Sequence, residues 1–335
     1  METTLLSILI PVYNESECIG LLYDRLNKIS ADIPCEVEFL FVNDGSKDDT
    51  LDIIRLLQIV DSRVSFIDLS RNFGKEIAMC AGIDCIKGDA LVIIDADLQD
   101  PPELIPLMLA EMEKGYDDVY ACRSSRKGET WLKKWTSKNY YKVLKYLSHV
   151  PVQDNTGDFR MFSKKAIAAL RKLRESERNM KGLFSYIGFK KKAIYYERDP
   201  RAAGKTKWNY LKLTDLAIKG LTSFSIVPLR IIPMVGLTVS VFAFVYLLVV
   251  FTKALIWGDP VSGYPSLMSA ILFLCGIILL ALGIIGEYMG IIYNETKKRP
   301  LYYISEYKCC DDSKREMKDY SKYKLLNNDR VENRN

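Results

Sequence analysis

Two long stretches, residues 231–251 and 266–286, contain no charged side chain. Each is close to the ~20 residues that an α-helix needs to cross a hydrocarbon core. As the buried hairpin of a soluble protein they would leave two long apolar surfaces for a modest domain to cover. The sequence is therefore expected to hold two membrane spans, at about 231–255 and 265–290. The connection 258–264 has no Lys or Arg, and Lys253 is the only basic residue on that side. Lys205, Lys207, Lys212, Lys219 and Arg230 precede the spans, and Lys297, Lys298 and Arg299 follow them. That asymmetry places both flanks in the cytoplasm and the short connection outside. Residues 1–12 lack a basic start and a small-residue cleavage site, so the N-terminal part is expected to stay cytoplasmic.

Upstream of the spans the chain reads differently. Short runs rich in Val, Ile, Leu and Phe occur at 5–12, 37–42, 64–69, 90–94 and 119–121. They mostly do not alternate with polar residues, as is usual for strands buried on both faces. Helical stripes lie between them: Ile19, Leu22, Leu26 and Ile29, then Leu51, Ile54, Leu57 and Ile59, then Leu104, Leu107, Met108 and Met112. Strand and helix in alternation predict an α/β domain, a mostly parallel sheet with helices on both faces. Ligands in such sheets bind beyond the carboxyl ends of the strands. Residues 131–147 read as helical, and 157–160 as a break in the pattern. Residues 195–207 are polar and basic, and 208–229 form an amphipathic segment suited to a bilayer surface. The expected organisation is a cytoplasmic domain at 1–207, the juxtamembrane segment 208–229, a helical hairpin at 230–295 and a charged cytoplasmic tail at 296–335.

Composition excludes several chemistries. A net charge of +5 with basic residues gathered near the apolar block does not argue for nucleic acid. Eight cysteines without a CxxC spacing fit a reduced compartment. Only one histidine, His149, is present, which argues against a Ser-His-Asp triad or a His-rich metal site. Gly236, Gly276, Gly283, Gly286 and Gly290 would permit close packing between spans, and so a homo-oligomer.

The sharpest chemical motif is Asp95-Ala96-Asp97, at the end of an apolar run. Paired carboxylates repel and are costly to bury, and a hard divalent cation relieves both problems. Mg²⁺ or Mn²⁺ also takes diphosphate oxygens, and the Gln99 amide oxygen is a candidate further ligand. Solvated loop carboxylates are the competing reading. Asp44 can accept hydrogen bonds from a base edge or serve as a turn residue. Lys75 fits either a diphosphate contact or a helix start.

The ordered motifs PVYNE, VNDGSKDDT, SRNFGKE, DADLQDPPE and TGDFRMF resemble family-two glycosyltransferases with the Rossmann-like A-type fold. With RAAGKTKW and two C-terminal spans, the chain is similar to the polyprenyl-phosphate subgroup, which includes dolichyl-phosphate mannose synthase and the bactoprenol glucosyltransferases. The resemblance implies base and ribose contacts at Pro11, Tyr13, Glu15 and Asp44, and donor and metal ligands at Asp95, Asp97 and Gln99. It implies acceptor-phosphate contacts at Arg123 and Arg126, a motif acid at Asp158, and a basic phosphate-binding pair at Arg201 and Lys205. The implied reaction is inverting transfer of a hexose from a nucleotide-diphosphate sugar, UDP-glucose, to undecaprenyl phosphate at the cytoplasmic membrane face. The product would be a lipid-phosphosugar donor for surface glycan modification. Rival readings are a processive polysaccharide synthase, disfavoured by two spans and no QxxRW motif, and a non-catalytic membrane scaffold, disfavoured by the intact acidic pair.

Overall fold

A computed structural model describes residues 3–124, 156–176, 178–197, 227–257 and 263–309. These fall into two compact units, an α/β domain that includes residues 300–309, and a pair of long helices.

The strands of the first unit are β1 (Leu5–Val12), β2 (Glu36–Asn43), β3 (Val64–Leu69), β4 (Ala90–Ile93), β5 (Asp118–Arg123), β6 (Thr156–Ser163), β7 (Lys191–Tyr196) and β8 (Ile304–Lys308). They form one sheet in the order β7-β5-β6-β4-β1-β2-β3-β8. The pairs β4–β1, β1–β2, β2–β3 and β5–β7 are parallel, whereas β6 and β8 run antiparallel to their neighbours. The mostly parallel sheet expected from the apolar runs is present.

Helices cover both faces, because consecutive strand side chains point to opposite sides. Leu6, Ile8 and Ile10 of β1 join a core with Ile19, Leu22 and Leu26 of α1 (Ser16–Ser30), Ile54 of α2 (Thr50–Val60), and Ile105 and Met108 of α4 (Ile105–Glu113). On the other face α3 (Lys75–Cys85) presses Gly82 onto Leu9, where a Cβ would lie 2.1 Å from the Leu9 Cδ1. Two stripes differ from expectation. Ile59 and Leu107 are exposed, and α2 and α4 bury Gln58 and Leu109 instead, since adjacent turns rotate those positions toward the sheet.

Two strands depart from the sequence reading. Residues 157–160, read as a break, lie inside β6, between β4 and β5. The strand signal is hidden by Arg160, which is 1% exposed. Its Nη1 lies 3.2 Å from Asp118 Oδ2, and its guanidinium sits 4.5 Å from the Phe184 ring centroid. The reading of 296–335 as a tail differs at its start, where Ile304–Lys308 is edge strand β8 beside β3. Arg55 ties it down through Glu306 at 2.6 Å, and Ser70 N–H donates to Tyr303 O. Among the described residues the domain also contains two short helices, α5 (Lys164–Leu170) and α6 (Met180–Tyr186).

The second unit contains α7 (Val227–Trp257) and α8 (Tyr264–Thr296). Among the described residues one stretch, Phe273–Thr296, is long and apolar enough to cross a membrane, with mean hydropathy 2.1 and none of it buried. A shorter apolar stretch, Ile232–Tyr246, lies in α7.

Arg160→Met would leave Asp118 buried without its main partner, Lys191 Nζ being 3.7 Å away. Unfolding in urea is expected to show a loss of about 3–5 kcal/mol. Replacing Asp118 and Arg160 together by apolar residues of similar volume is expected to recover much of that loss.

Candidate active site

The chain runs β1, β2, β3 outward and then returns to place β4 on the other side of β1. This reversal opens a crevice at the carboxyl ends of the strands. Because β6 is antiparallel, its first residues arrive at that same end. A cavity of about 570 Å³ lies there, within the size range of small-molecule sites. Pro11, Tyr13, Glu15, Asp44, Lys75, Asp95, Asp97, Gln99, Arg123 and Asp158 all line it. Arg126, Arg201 and Lys205 lie outside the described residues.

The loops around the cavity are tied to one another. Asn14 adopts φ 52°, which lets its N–H donate to Ser46 Oγ at 2.9 Å while its side-chain oxygen accepts from Lys47 N at 2.8 Å. Glu15 N donates to Thr50 Oγ1 at 3.0 Å. The loop after β1 is thereby fixed to the loop after β2. Asp44 extends the chain of contacts, since its carboxylate accepts from Phe73 N at 2.7 Å and Gly74 N at 2.9 Å. Gly45, at φ 64°, is required here, because a Cβ would lie 2.6 Å from the Arg71 carbonyl carbon. Arg71 in turn stacks on Phe73 at 4.1 Å. Burial pushes the Asp44 carboxyl up, and the two amides and Arg71 offset this only in part.

The acidic loop after β4 turns sharply. Gln99 N donates to Asp97 Oδ1 at 3.2 Å, and Leu98 is buried at φ 59°. A leucine there is strained by about 1–2 kcal/mol, and such strain is often found at functional sites. Nearby, Tyr196 donates to Asp100, and Arg123 bonds Tyr196.

Lys75, the first residue of α3, bridges the carboxylates. Its Nζ lies 2.6 Å from Asp95 Oδ1 and 2.5 Å from Asp158 Oδ2. Burial alone would depress the lysine, but Asp95 and Asp158 outweigh it and raise its pKa above the ordinary value. Burial raises the Asp95 carboxyl despite Lys75, with the Asp158 charge adding to the rise. Burial likewise opposes ionisation of Asp158, but Lys75, Lys181 and Arg160 prevail and hold it at about 2. Lys75 does stand at a helix start, as one of its two sequence readings has it, and from there it faces the two acids.

Asp95, Asp97 and Gln99 line the cavity with two carboxylates and an amide oxygen available as ligands, a set that suits a hard divalent cation. Among the described residues no group of three His, Cys, Asp or Glu side chains converges as a ready metal cage. The set therefore fits an ion that keeps water or phosphate oxygens among its ligands, as Mg²⁺ does.

Sequence reasoning did not single out Lys181, Asn72 or Gly157, which also line the cavity. Lys181 resembles the other lysines around it in sequence, and only the fold separates it from them. Gly157 lies beside Arg123, whose Nη2 would be 3.4 Å from a Cβ at that position, and only the fold brings the two together.

Residues 7–171 match Glycosyl transferase family 2, and residues 227–292 match the GtrB C-terminal hairpin. An uncharacterized glycosyltransferase of Synechocystis sp. is 45% identical over 301 residues, 90% of this chain and 95% of that protein. The chain belongs to the family-two glycosyltransferases. More particularly, it is 42% identical over 303 residues to a bactoprenol glucosyl transferase of Shigella phage SfX, covering 90% of this chain and 99% of the phage protein. It is 43% identical, over the same shares of each chain, to a prophage bactoprenol glucosyl transferase homolog of Escherichia coli K12.

Glu76, next to Lys75, accepts from Met180 N at 2.7 Å. Burial and the Asp158 charge push its carboxyl up to about 7. Between the ordinary 4.5 and about 7 the folded state holds a proton that the unfolded state has lost, so stability falls as pH rises through that window. Glu76→Gln is expected to raise the melting temperature at pH 8 and to flatten the decline between pH 5 and 8. Identical pH slopes in the two proteins would count against a protonated Glu76.

Proposed function

We propose that the chain transfers glucose from UDP-glucose to undecaprenyl phosphate at the cytoplasmic membrane face, with inversion at the anomeric carbon. The observation that carries this reading is the single cavity that gathers Asp44, Asp95, Asp97, Gln99, Arg123 and Asp158 beyond the strand ends. The names of the phage and E. coli relatives support bactoprenol as acceptor and glucose as the sugar.

In this reading the base and ribose lie against Pro11, Tyr13, Glu15 and Asp44. The amides of Phe73 and Gly74 occupy part of the Asp44 carboxylate and fix its direction, leaving lone pairs for a base edge. Mg²⁺ or Mn²⁺, held by Asp95, Asp97 and Gln99, would stabilise the departing diphosphate as its charge develops. Arg123, with Arg126, Arg201 and Lys205, offers cations to the acceptor phosphate, and guanidinium forks match its oxygens in pairs. The attacking phosphate oxygen is already ionised near neutral pH. Asp158, held at about 2, is a poor proton acceptor there. It positions Lys75 and balances charge.

The hairpin gives this chemistry a place, with both of its helices crossing the bilayer. β7 precedes it and β8 follows it, yet both belong to one sheet. A chain that leaves a folded domain and returns to it ends on the side where it began, so its crossings are even in number. With α8 as one crossing, α7 supplies the other, and the basic flanks point both ends to the cytoplasm. An alkaline phosphatase reporter inserted between α7 and α8 is expected to be active outside the cell, and one at the C-terminus inactive. The reverse pattern, or activity at neither position, would overturn the orientation.

For the reaction itself, protein purified in detergent is offered undecaprenyl phosphate with radiolabelled nucleotide sugars. Organic-phase label is expected from UDP-glucose with Mg²⁺ or Mn²⁺. EDTA or Asp97→Asn is expected to lower it by roughly 100-fold or more. Nucleotide-sugar binding without lipid label from any donor would sink the acceptor assignment.

A further inference from the structure

Asp95 belongs to the oxygen set that suits a divalent cation, yet its Oδ1 already has an ammonium 2.6 Å away. That ammonium also holds Asp158, at 2.5 Å. Two cations cannot share one face of a carboxylate without repelling each other. A metal ion binding through that oxygen would compete with the ammonium, and the side chains differ in freedom. Those of Asp95 and Asp158 are 24% and 11% exposed, whereas that of Lys75 is 41% exposed. Lysine is a point charge on a flexible four-carbon stem. It follows Gly74, whose φ is 99° and whose Cβ position has no atom within 4 Å, so the wall beside it is open. Lys181, on the same cavity, also exerts its charge on Asp158, so that acid keeps a cation nearby if Lys75 moves.

We propose that Lys75 is a resident counter-ion of the metal site, which cedes Asp95 to a divalent cation only when a nucleotide diphosphate gives its ammonium a new anionic partner. This rests on reading the cleft as a nucleotide-diphosphate site. Metal alone must displace the ammonium from Asp95 with nothing offered in return. Metal together with diphosphate supplies phosphate oxygens, which lysine binds readily. Metal and nucleotide therefore bind cooperatively, and each raises the affinity of the other by the same factor.

The test uses the full chain in detergent and reads bound Mn²⁺ from loss of the free-ion EPR signal, without nucleotide and with UDP or GDP. Lys75→Met is expected to bind Mn²⁺ on the order of tenfold more tightly than wild type without nucleotide, and to lose most of the gain that nucleotide gives wild type. Lys75→Arg keeps the charge and is expected to retain the wild-type pattern. Lys181→Met removes a cation from the same cavity without touching Asp95, and is expected to change nucleotide-free Mn²⁺ affinity much less. Should Lys75→Met not fold, as judged by its melting curve, Lys75→Gln gives the same comparison. Equal nucleotide-free affinity in wild type and the Lys75 variant, or an equal gain in Lys181→Met, would overturn the role of Lys75 alone. Failure of wild type to bind either Mn²⁺ or nucleotide would overturn the reading of the cleft, and this inference with it.

Discussion

The ammonium of Lys75 joins three segments that are remote in sequence, the start of α3, the end of β4 and the first residues of β6. Without a cation between them, Asp95 and Asp158 would confront each other in partly buried positions, and the strand ends would be pushed apart. The Asp44 wall of the cleft leans on the same stretch of chain. The Asp44 carboxylate binds the backbone immediately before Lys75, at Phe73 and Gly74. Gly45 then allows the loop after β2 to touch the backbone at Arg71 and Asn72. The placement of Lys75 is thus inherited from hydrogen bonds to a carboxylate that follows the neighbouring strand, β2.

Much of the domain was legible because its central strands are buried on both faces. Runs such as Leu5–Val12 and Val64–Leu69 have little reason to be so apolar otherwise. The cavity lining was legible for a related reason, since polar residues that follow such runs collect at one end of a parallel sheet. What stayed hidden has a physical cause in each case. β6 carries a buried arginine whose partner, Asp118, lies on another strand, and a pairing of that kind leaves no periodic trace. β8, Ile304–Lys308, is short, largely exposed and mixed in composition, and lies far from β3 in sequence. The role of Lys75 was hidden too, because a lysine at a helix start looks alike whether it faces solvent or two acids.

The site combines a rigid half and an adjustable half. Side-chain to backbone hydrogen bonds fix the loops after β1 and β2, and Asn14 accepts an unusual backbone angle to make them. The loop after β4 carries its own unusual residue, Leu98, whose buried side chain holds the turn that presents Asp97 and Gln99. Against these, Lys75 is the charged group with a long stem and an exposed flank. On the proposed reading, a frame that holds the nucleotide end still while one cation changes partners would suit a reaction whose leaving group gains negative charge.

The positions of β7 and β8 have a consequence for how the sheet is closed. They are the two outermost strands of the sheet, separated by all six others. At about 4.8 Å per step, that is on the order of 34 Å from rim to rim. Strand β8 is held at its rim both by the β3–β8 hydrogen bonds and by the Arg55–Glu306 contact. Each rim of the sheet is thus closed by a strand from a different side of the helical hairpin in sequence.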